Sequence, residues 1–254
     1  MVDIHSHVLY GVDDGAKTLE DSVAMVRMAA ETGTTDLVAT PHANLNYTFE
    51  PELIRERLAE ITAASGTQVR LYSGCDFHLS YDNILRAVED PQKYTINQSC
   101  YLLVEFSDLI IFNNTSEIFA RLQEAGMIPI ITHPERNPLL RQRIDQIAKW
   151  IEDGVCVQVT AQSVLGGFGR SAQEFSETLL DRYLVHFLAS DGHDCQRRPP
   201  RLDDAYKLLA ERRGESIAEI LCVRNPRATL TGNRLESIAP DDLPEPRKWY
   251  QLWR

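Results

Sequence analysis

The chain has 254 residues, 43% hydrophobic and 25% charged, with a formal net charge of −11. A chain of this length buries a sizeable core, and its acidic balance excludes a broad positive face for nucleic acid or an anionic membrane. No apolar run approaches the roughly 18 residues of a membrane helix, and no basic segment followed by an apolar one opens the sequence. Membrane insertion is therefore not expected, and a cytoplasmic location is. The five cysteines (Cys75, Cys100, Cys156, Cys195, Cys222) are scattered and form no Cys-x-x-Cys pair, so reduced thiols are expected.

In chain order, short apolar runs alternate with longer amphipathic segments. The runs are Val2–Ile4, Asp36–Ala39, Val69–Tyr72, Tyr101–Val104, Ile128–Ile131, Val155–Val159 and His186–Ala189. Between them, helices are expected over Thr18–Thr32, Pro51–Ala64, Ser80–Val88, Ser116–Ala125, Leu140–Asp153 and Ala172–Arg182. Thr18 with Asp21 three residues on reads as a capping arrangement, and Gly33 and Gly126 follow helical segments as C-terminal caps do. Strand–helix alternation predicts an α/β fold with a parallel sheet and helices outside it. Seven strand candidates in one chain favour a single barrel, incomplete or distorted, over two domains.

Polar residues capable of binding a ligand follow nearly every run. His5 and His7 follow the first, Thr40-Pro41-His42 the second and Gly74-Cys75-Asp76 the third. Glu105 follows the fourth, His133-Pro134-Glu135-Arg136 the fifth and Asp191-Gly192-His193 the seventh. In an α/β barrel the C-terminal strand ends share the face that carries the active site. Five of the seven histidines and several carboxylates are thus expected on one rim. Imidazole and carboxylate without thiolate suit divalent manganese, iron or zinc, and the number of donors calls for two or three ions. Such clusters bind phosphate oxygens and convert bound water to hydroxide near neutral pH. Arg136 and Arg198 would stand at the same rim, where guanidinium recognises phosphate in bidentate fashion.

The motifs Asp3-Ile4-His5-Ser6-His7, Gly11-Val12-Asp13-Asp14-Gly15, Thr40-Pro41-His42, His133-Pro134-Glu135-Arg136, Ser190-Asp191-Gly192-His193 and Arg198-Pro199-Pro200 resemble those of the polymerase and histidinol phosphatase superfamily. Within it the sequence is most similar to the manganese-dependent bacterial protein tyrosine phosphatases of capsular and exopolysaccharide loci. The resemblance spans Met1 to about Pro226 and implies a distorted seven-stranded (β/α)7 barrel around a trinuclear centre. It implies one ion on His5 and His7, with Asp76 and Asp191 near or bridging, and a second on Glu105 and His133, sharing Asp76. A third falls on His42 and His193 with Asp14, although Asp13 competes for that place. The family pattern usually has glutamate where this chain has Asp76. Arg136 and Arg198 are implied as phosphate ligands, with Asp191 beside them in catalysis. The implied substrate is the phosphotyrosine-bearing tail of a tyrosine kinase that regulates polysaccharide export, cleaved by in-line attack of metal-bound hydroxide. Two other readings use the same residues: a small-molecule phosphatase of histidinol-phosphate type and a non-catalytic metal-dependent partner protein.

Several residues near these motifs have plainer readings. His78 is expected in packing beside the rim, His186 as a strand-interior structural residue, and Asp194 as either a proton donor or a loop acid. Glu135 would orient a ligand or pair with Arg136. Tyr10 and Tyr47 lie in rim loops, and Gly166-Gly167-Phe168-Gly169 on the loop after the sixth strand borders the substrate or serves as a plain turn. Cys195 and Arg201 match the Cys-x5-Arg spacing of thiol phosphatases, but Pro199 and Pro200 remove two of the backbone donors that a phosphate cradle requires. The barrel is expected over residues 1–230. The remainder, 231–254, is read as a tail on or beside it, ending in Trp249, Tyr250 and Trp253.

Overall fold

The computed structural model describes residues 1–238. Among them nine short strands occur: β1 (Val2–Ser6), β2 (Asp36–Ala39), β3 (His42–Ala43), β4 (Arg70–Ser73), β5 (Asp76–His78), β6 (Tyr101–Glu105), β7 (Ile128–Thr132), β8 (Cys156–Thr160) and β9 (Phe187–Ala189). All pairings are parallel, in one ladder of order β1-β2-β4 and another of order β3-β5-β6-β7-β8-β9. The two ladders meet on both sides. On one, the chain runs from β2 to β3 and from β4 to β5, and Gly74 N–H donates to Ala39 O while Asp76 N–H donates to Pro41 O. On the other, Ser6 bridges Gly192 in parallel, and Asp191 N–H donates to His5 O at 2.8 Å.

The two unexpected strands, β3 and β5, follow the expected second and third strands after a short break. Pro41 lacks the N–H that a ladder needs, and Gly74-Cys75 interrupts the other. Each break re-aims the chain, and β3 and β5 then carry His42 and Asp76 toward the mouth.

The helices are α1 (Leu19–Glu31), α2 (Pro51–Ser65), α3 (Tyr81–Glu89), α4 (Thr115–Glu124), α5 (Ile144–Glu152), α6 (Ala161–Val164), α7 (Arg170–Asp181), α8 (Asp203–Arg213), α9 (Glu215–Glu219) and α10 (Asn225–Thr231). The Thr18 capping box forms at α1, with both reciprocal bonds present. Gly33 and Gly126, each at φ 88°, take left-handed conformations after α1 and α4. The segment expected as one helix over 140–153 splits into a 3₁₀ turn and α5. Helices α8 to α10 have no counterpart in the sequence reading. The pattern of α8 is mostly charged, and only Ala205 and Leu209 in it are buried.

Alternation along the strands divides the apolar residues into two layers. Leu102, Val104, Ile131, Val157, Val159 and Leu188 pack outward against helix residues such as Met25, Phe119, Trp150 and Leu179. Tyr101, Leu103, Ile130, Cys156 and Phe187 form a second cluster inside the ring of strands, closed below by Ile96 and Leu230. Continuing the inward parity by two residues gives Glu105 after Leu103, Thr132 after Ile130 and Gln158 after Cys156. The apolar plug thus becomes a polar mouth at the C-terminal strand ends.

After α10 the chain turns at Gly232 (φ 71°) and lies against the opposite end, where Tyr101 Oη donates to Asn233 O at 2.7 Å and Arg224 pairs with Glu236. The aromatic end of the expected tail, Trp249 to Trp253, lies outside the described residues.

Candidate metal centre

His5 and His7 leave the end of β1 fully buried. Their Nε2 atoms face each other across 3.3 Å. Each ring is oriented by a partner at its other nitrogen: Gln158 Oε1 lies 3.0 Å from His5 Nδ1, and Asp13 Oδ2 lies 2.7 Å from His7 Nδ1. Asp13 is fixed in turn by Gly15 N–H at 2.9 Å and His42 N–H at 3.2 Å. Gly15 is required here because a Cβ would stand 2.0 Å from His7 O. Between Asp13 and Asp14 the geometry separates two jobs. Asp13 holds a ring, while Asp14 Oδ1 faces His42 Nε2 at 3.4 Å and His193 Nε2 at 3.5 Å.

His42 Nδ1 stands 3.2 Å from Asp76 Oδ2 and 3.6 Å from Glu105 Oε2. Asp76 Oδ2 reaches His5 Nε2 at 3.6 Å, so the shorter aspartate side chain still meets both rings. Asp191 Oδ1 lies 3.4 Å from His5 Nε2, 3.3 Å from His7 Nε2 and 3.6 Å from His193 Nδ1. Its other oxygen, Oδ2, accepts from both Arg136 and Arg198. His133 and Asp191 hold left-handed backbone conformations at φ 33° and 52°, which histidine and aspartate tolerate better than most side chains.

All nine sequence-predicted donors, His5, His7, Asp14, His42, Asp76, Glu105, His133, Asp191 and His193, are brought to this mouth. Their atoms form four groups within 4.8 Å: His7 with Asp14, His42 and His193; His5 with His7 and Asp76; His5 with His133 and Asp191; and His42 with Asp76 and Glu105. Of the implied sets, His5 with His7 and Asp76, and His42 with His193 and Asp14, fall within these groups, and Glu105 Oε1 stands 3.8 Å from His133 Nε2.

The donors fit divalent cations by an independent criterion. His42 Nδ1, Asp76 Oδ2 and Asp191 Oδ1 are buried without any hydrogen-bond partner, which is costly unless a positive charge stands among them. Without that charge, the cluster draws in protons. Burial works to lower His7 and His42, yet Asp13 raises the first to about 9 and Asp14 with Asp76 raises the second to about 11. Asp191 and Asp76 are held well below the usual carboxylate range against their burial, chiefly by His5. His133 is pushed down to about 3 by burial and by Arg136. Metal binding here displaces protons and is therefore favoured as pH rises.

The plainer residues fall into place. His78 lies 3.6 Å from Glu105 but in none of the four groups. Glu135 is buried and accepts from Thr160 N–H and Ser163 Oγ, pinning the start of α6. Asp194 accepts the N–H groups of Gln196, Arg197 and Arg198, so it shapes the turn that presents Arg198. His186 accepts Val157 N–H at 3.2 Å inside the fold. Tyr10 is turned to Glu60 and Arg57, while the Tyr47 ring stacks near His42 at 6.0 Å. Cys195 is a thiol raised by burial, and Arg201 is paired with Asp203 and Asp204, so the Cys-x5-Arg spacing forms no cradle.

Two contributors escaped the sequence reading. Gln158 orients His5, and its signal was a lone amide inside an otherwise apolar run. Phe168, noted only as part of a glycine-rich loop, lies under Arg136 at 4.4 Å and Arg198 at 5.8 Å. A cavity of about 500 Å³ lined by Asp14, Lys17, His193 and Arg197 opens beside the cluster.

Comparison with known proteins decides the family. The model for capsular polysaccharide synthesis proteins CpsB/CapC matches residues 1–231. The chain belongs to the CpsB/CapC family. It is 34% identical to CapC of Staphylococcus aureus over 99% of this chain and 100% of CapC. It is 31% identical to the tyrosine-protein phosphatase YwqE of Bacillus subtilis, covering 87% of this chain and 88% of YwqE. A solved structure from work on YwqE of Bacillus subtilis and CpsB of Streptococcus pneumoniae, described as metal-dependent tyrosine phosphatases, superimposes with a TM-score of 0.88. It has 29% identity over 94% of this chain and 97% of that one. The α/β fold with parallel strands is thus that of its family, and no described helix is long and apolar enough to cross a membrane.

Proposed function

We propose that this CpsB/CapC-family chain is a metal-dependent tyrosine-protein phosphatase that hydrolyses phosphotyrosine on a protein, in the cytoplasm. Its substrate is the C-terminal tail of a bacterial tyrosine kinase that governs capsular or exopolysaccharide synthesis. The observation that carries this reading is the position of Asp191. One oxygen faces three imidazoles and the other holds two arginines, so cation donors and phosphate-binding groups meet on a single side chain.

Two or three divalent cations, manganese foremost with iron or zinc as alternatives, would be held by His5, His7, Asp14, His42, Asp76, Glu105, His133, Asp191 and His193. When bound, they supply Lewis-acid charge toward phosphate oxygens and an activated water. The remaining steps belong to the chain. Arg136 and Arg198 take the phosphate oxygens and neutralise charge as the phenolate leaves. Both guanidiniums rest on Asp191, and an incoming phosphate competes for them. Phe168 lies against both guanidiniums and supports them.

We also read β2 with β3, and β4 with β5, as single broken strands. The barrel then counts seven, with the catalytic domain over 1–230 and a tail after it. The test is hydrolysis of phosphotyrosyl peptides, free phosphotyrosine and histidinol phosphate at matched concentration, with manganese and with chelator. Chelator-sensitive cleavage favouring phosphotyrosine supports the reading. Faster cleavage of histidinol phosphate, or none of any ester, rejects it.

A further inference from the structure

The large apolar side chains left exposed among the described residues are Leu45 (97%), Leu109 (91%), Tyr81 (71%), Ile110 (56%) and Leu165 (43%). Each stands on a segment leaving a C-terminal strand end: Leu45 after β3, Tyr81 after β5, Leu109 and Ile110 after β6, and Leu165 after β8 and α6. Scattered apolar residues on a surface need no explanation, but here all five stand on segments that leave the strand ends at the face of the metal centre. The ring is richest on the β5–β6 side. There Tyr81 lines a cavity of about 240 Å³ whose wall is apolar at Ile84, Leu85, Phe112 and Ile118 and polar at Asn114, Glu117 and Arg121, and the segment bearing Leu109 and Ile110 runs into Phe112. That segment is tied to the centre. Asn137, four residues after His133, donates to Ser107 O at 3.0 Å. His78, three residues before Tyr81, lies 3.6 Å from Glu105.

We propose that this rim is a docking surface for the polypeptide that bears the phosphotyrosine, and that it selects apolar residues beside it. The inference rests on the phosphotyrosine reading above and extends it to the sequence around the target. A phosphotyrosine held at Arg136 and Arg198 brings its chain neighbours across the rim, since each residue adds only about 3.3 Å of reach. The other possible occupants fit less well. A second copy seated here would cover the mouth that substrate must enter, and a net charge of −11 repels an anionic bilayer. The apolar wall of the cavity beside Tyr81 receives one apolar side chain of the substrate, and Leu109 and Ile110, on the segment that leads to it, meet a neighbouring one.

The experiment uses the full chain loaded with manganese and two peptides carrying a non-hydrolysable phosphonate analogue of phosphotyrosine. One has leucine and phenylalanine flanks and the other serine flanks. Fluorescence anisotropy should show the apolar peptide binding roughly tenfold tighter. The double variant Leu109→Ser with Ile110→Ser, and separately Tyr81→Ser, should shrink that ratio toward one while hydrolysis of free phosphotyrosine is unchanged. Equal binding of the two peptides by the wild type overturns the proposal, as does an undiminished ratio in the variants. So does a variant effect confined to vesicle sedimentation or to self-association. If wild type fails to hydrolyse free phosphotyrosine, the phosphatase reading falls, while anisotropy still decides whether the rim selects apolar flanks.

Discussion

His5 Nε2 and His7 Nε2 face each other at 3.3 Å, and the opposite nitrogen of each ring is already engaged, by Gln158 and Asp13 respectively. Two ring nitrogens so placed repel unless a proton or a metal ion lies between them. The orienting partners differ in kind: a neutral amide for His5 and a carboxylate for His7. Such partners fix the tautomer and raise the donor strength of the ligating nitrogen.

Removing either partner should therefore weaken metal binding without touching a donor. Gln158→Leu and Asp13→Asn are expected to lower manganese affinity by about tenfold to a hundredfold, with Asp13→Asn the more severe. Calorimetric titration of the chelated protein reads this directly. Unchanged affinity in Asp13→Asn would remove the orienting role.

Arg136 and Arg198 should behave as phosphate-binding groups with different supports. Arg198→Ala and Arg136→Ala are each expected to reduce kcat/KM for phosphotyrosine by on the order of a hundredfold, the scale of one lost charge-stabilising contact. Phe168→Leu should cost a smaller factor, roughly threefold, because only the cation–π support goes. Steady-state kinetics check the order, and wild-type kcat/KM in either arginine variant would exclude it from the site.

The chelated protein should carry a pH signature that the loaded one lacks. His7 is raised from 6.5 to about 9, so its contribution to stability is full below pH 6.5 and is lost as pH rises through about 9. His42, raised to about 11, extends the same trend upward. His133, pushed down to about 3, acts only on the acid side of pH 6.5. Chemical denaturation of the chelated chain at pH 6.5 and pH 9 should show the loss, and saturating manganese should abolish it. A chelated protein equally stable at both values contradicts the coupling.

Gly15→Ala should be far more damaging than a surface glycine change, since its Cβ meets His7 O at 2.0 Å. The Asp13–Asp14 loop must shift, so manganese affinity should fall at least tenfold while the far-UV spectrum persists. Gly66→Ala, with nothing within 4 Å of its Cβ, serves as the control and should leave metal binding intact.

Much of the site was legible because strand ends repeat. His5, Asp76, Glu105, His133 and Asp191 each follow an apolar run, and parallel strands deliver such positions to one face. Strands β3 and β5, beyond the breaks at Pro41 and Gly74, were hidden, because two and three residues are too short to show a run. The distances between donors, such as Glu105 to His133 at 3.8 Å, were hidden too, because they depend on how far each loop leans across the mouth. Helices α8 to α10 were missed for another reason: α8 buries only Ala205 and Leu209 and α10 closes the base through Leu230, too few apolar residues to set a visible period. Gln158 could have been found, since an amide amid Val157 and Val159 needs a buried partner.

The most direct measurement is an anomalous difference map at the manganese edge from crystals grown with manganese. Two or three peaks are expected, each within bonding distance of donors from the groups around His5, His7, His42 and Asp76. A map with no peak among these residues, or with manganese bound only elsewhere, would contradict the shared cation centre.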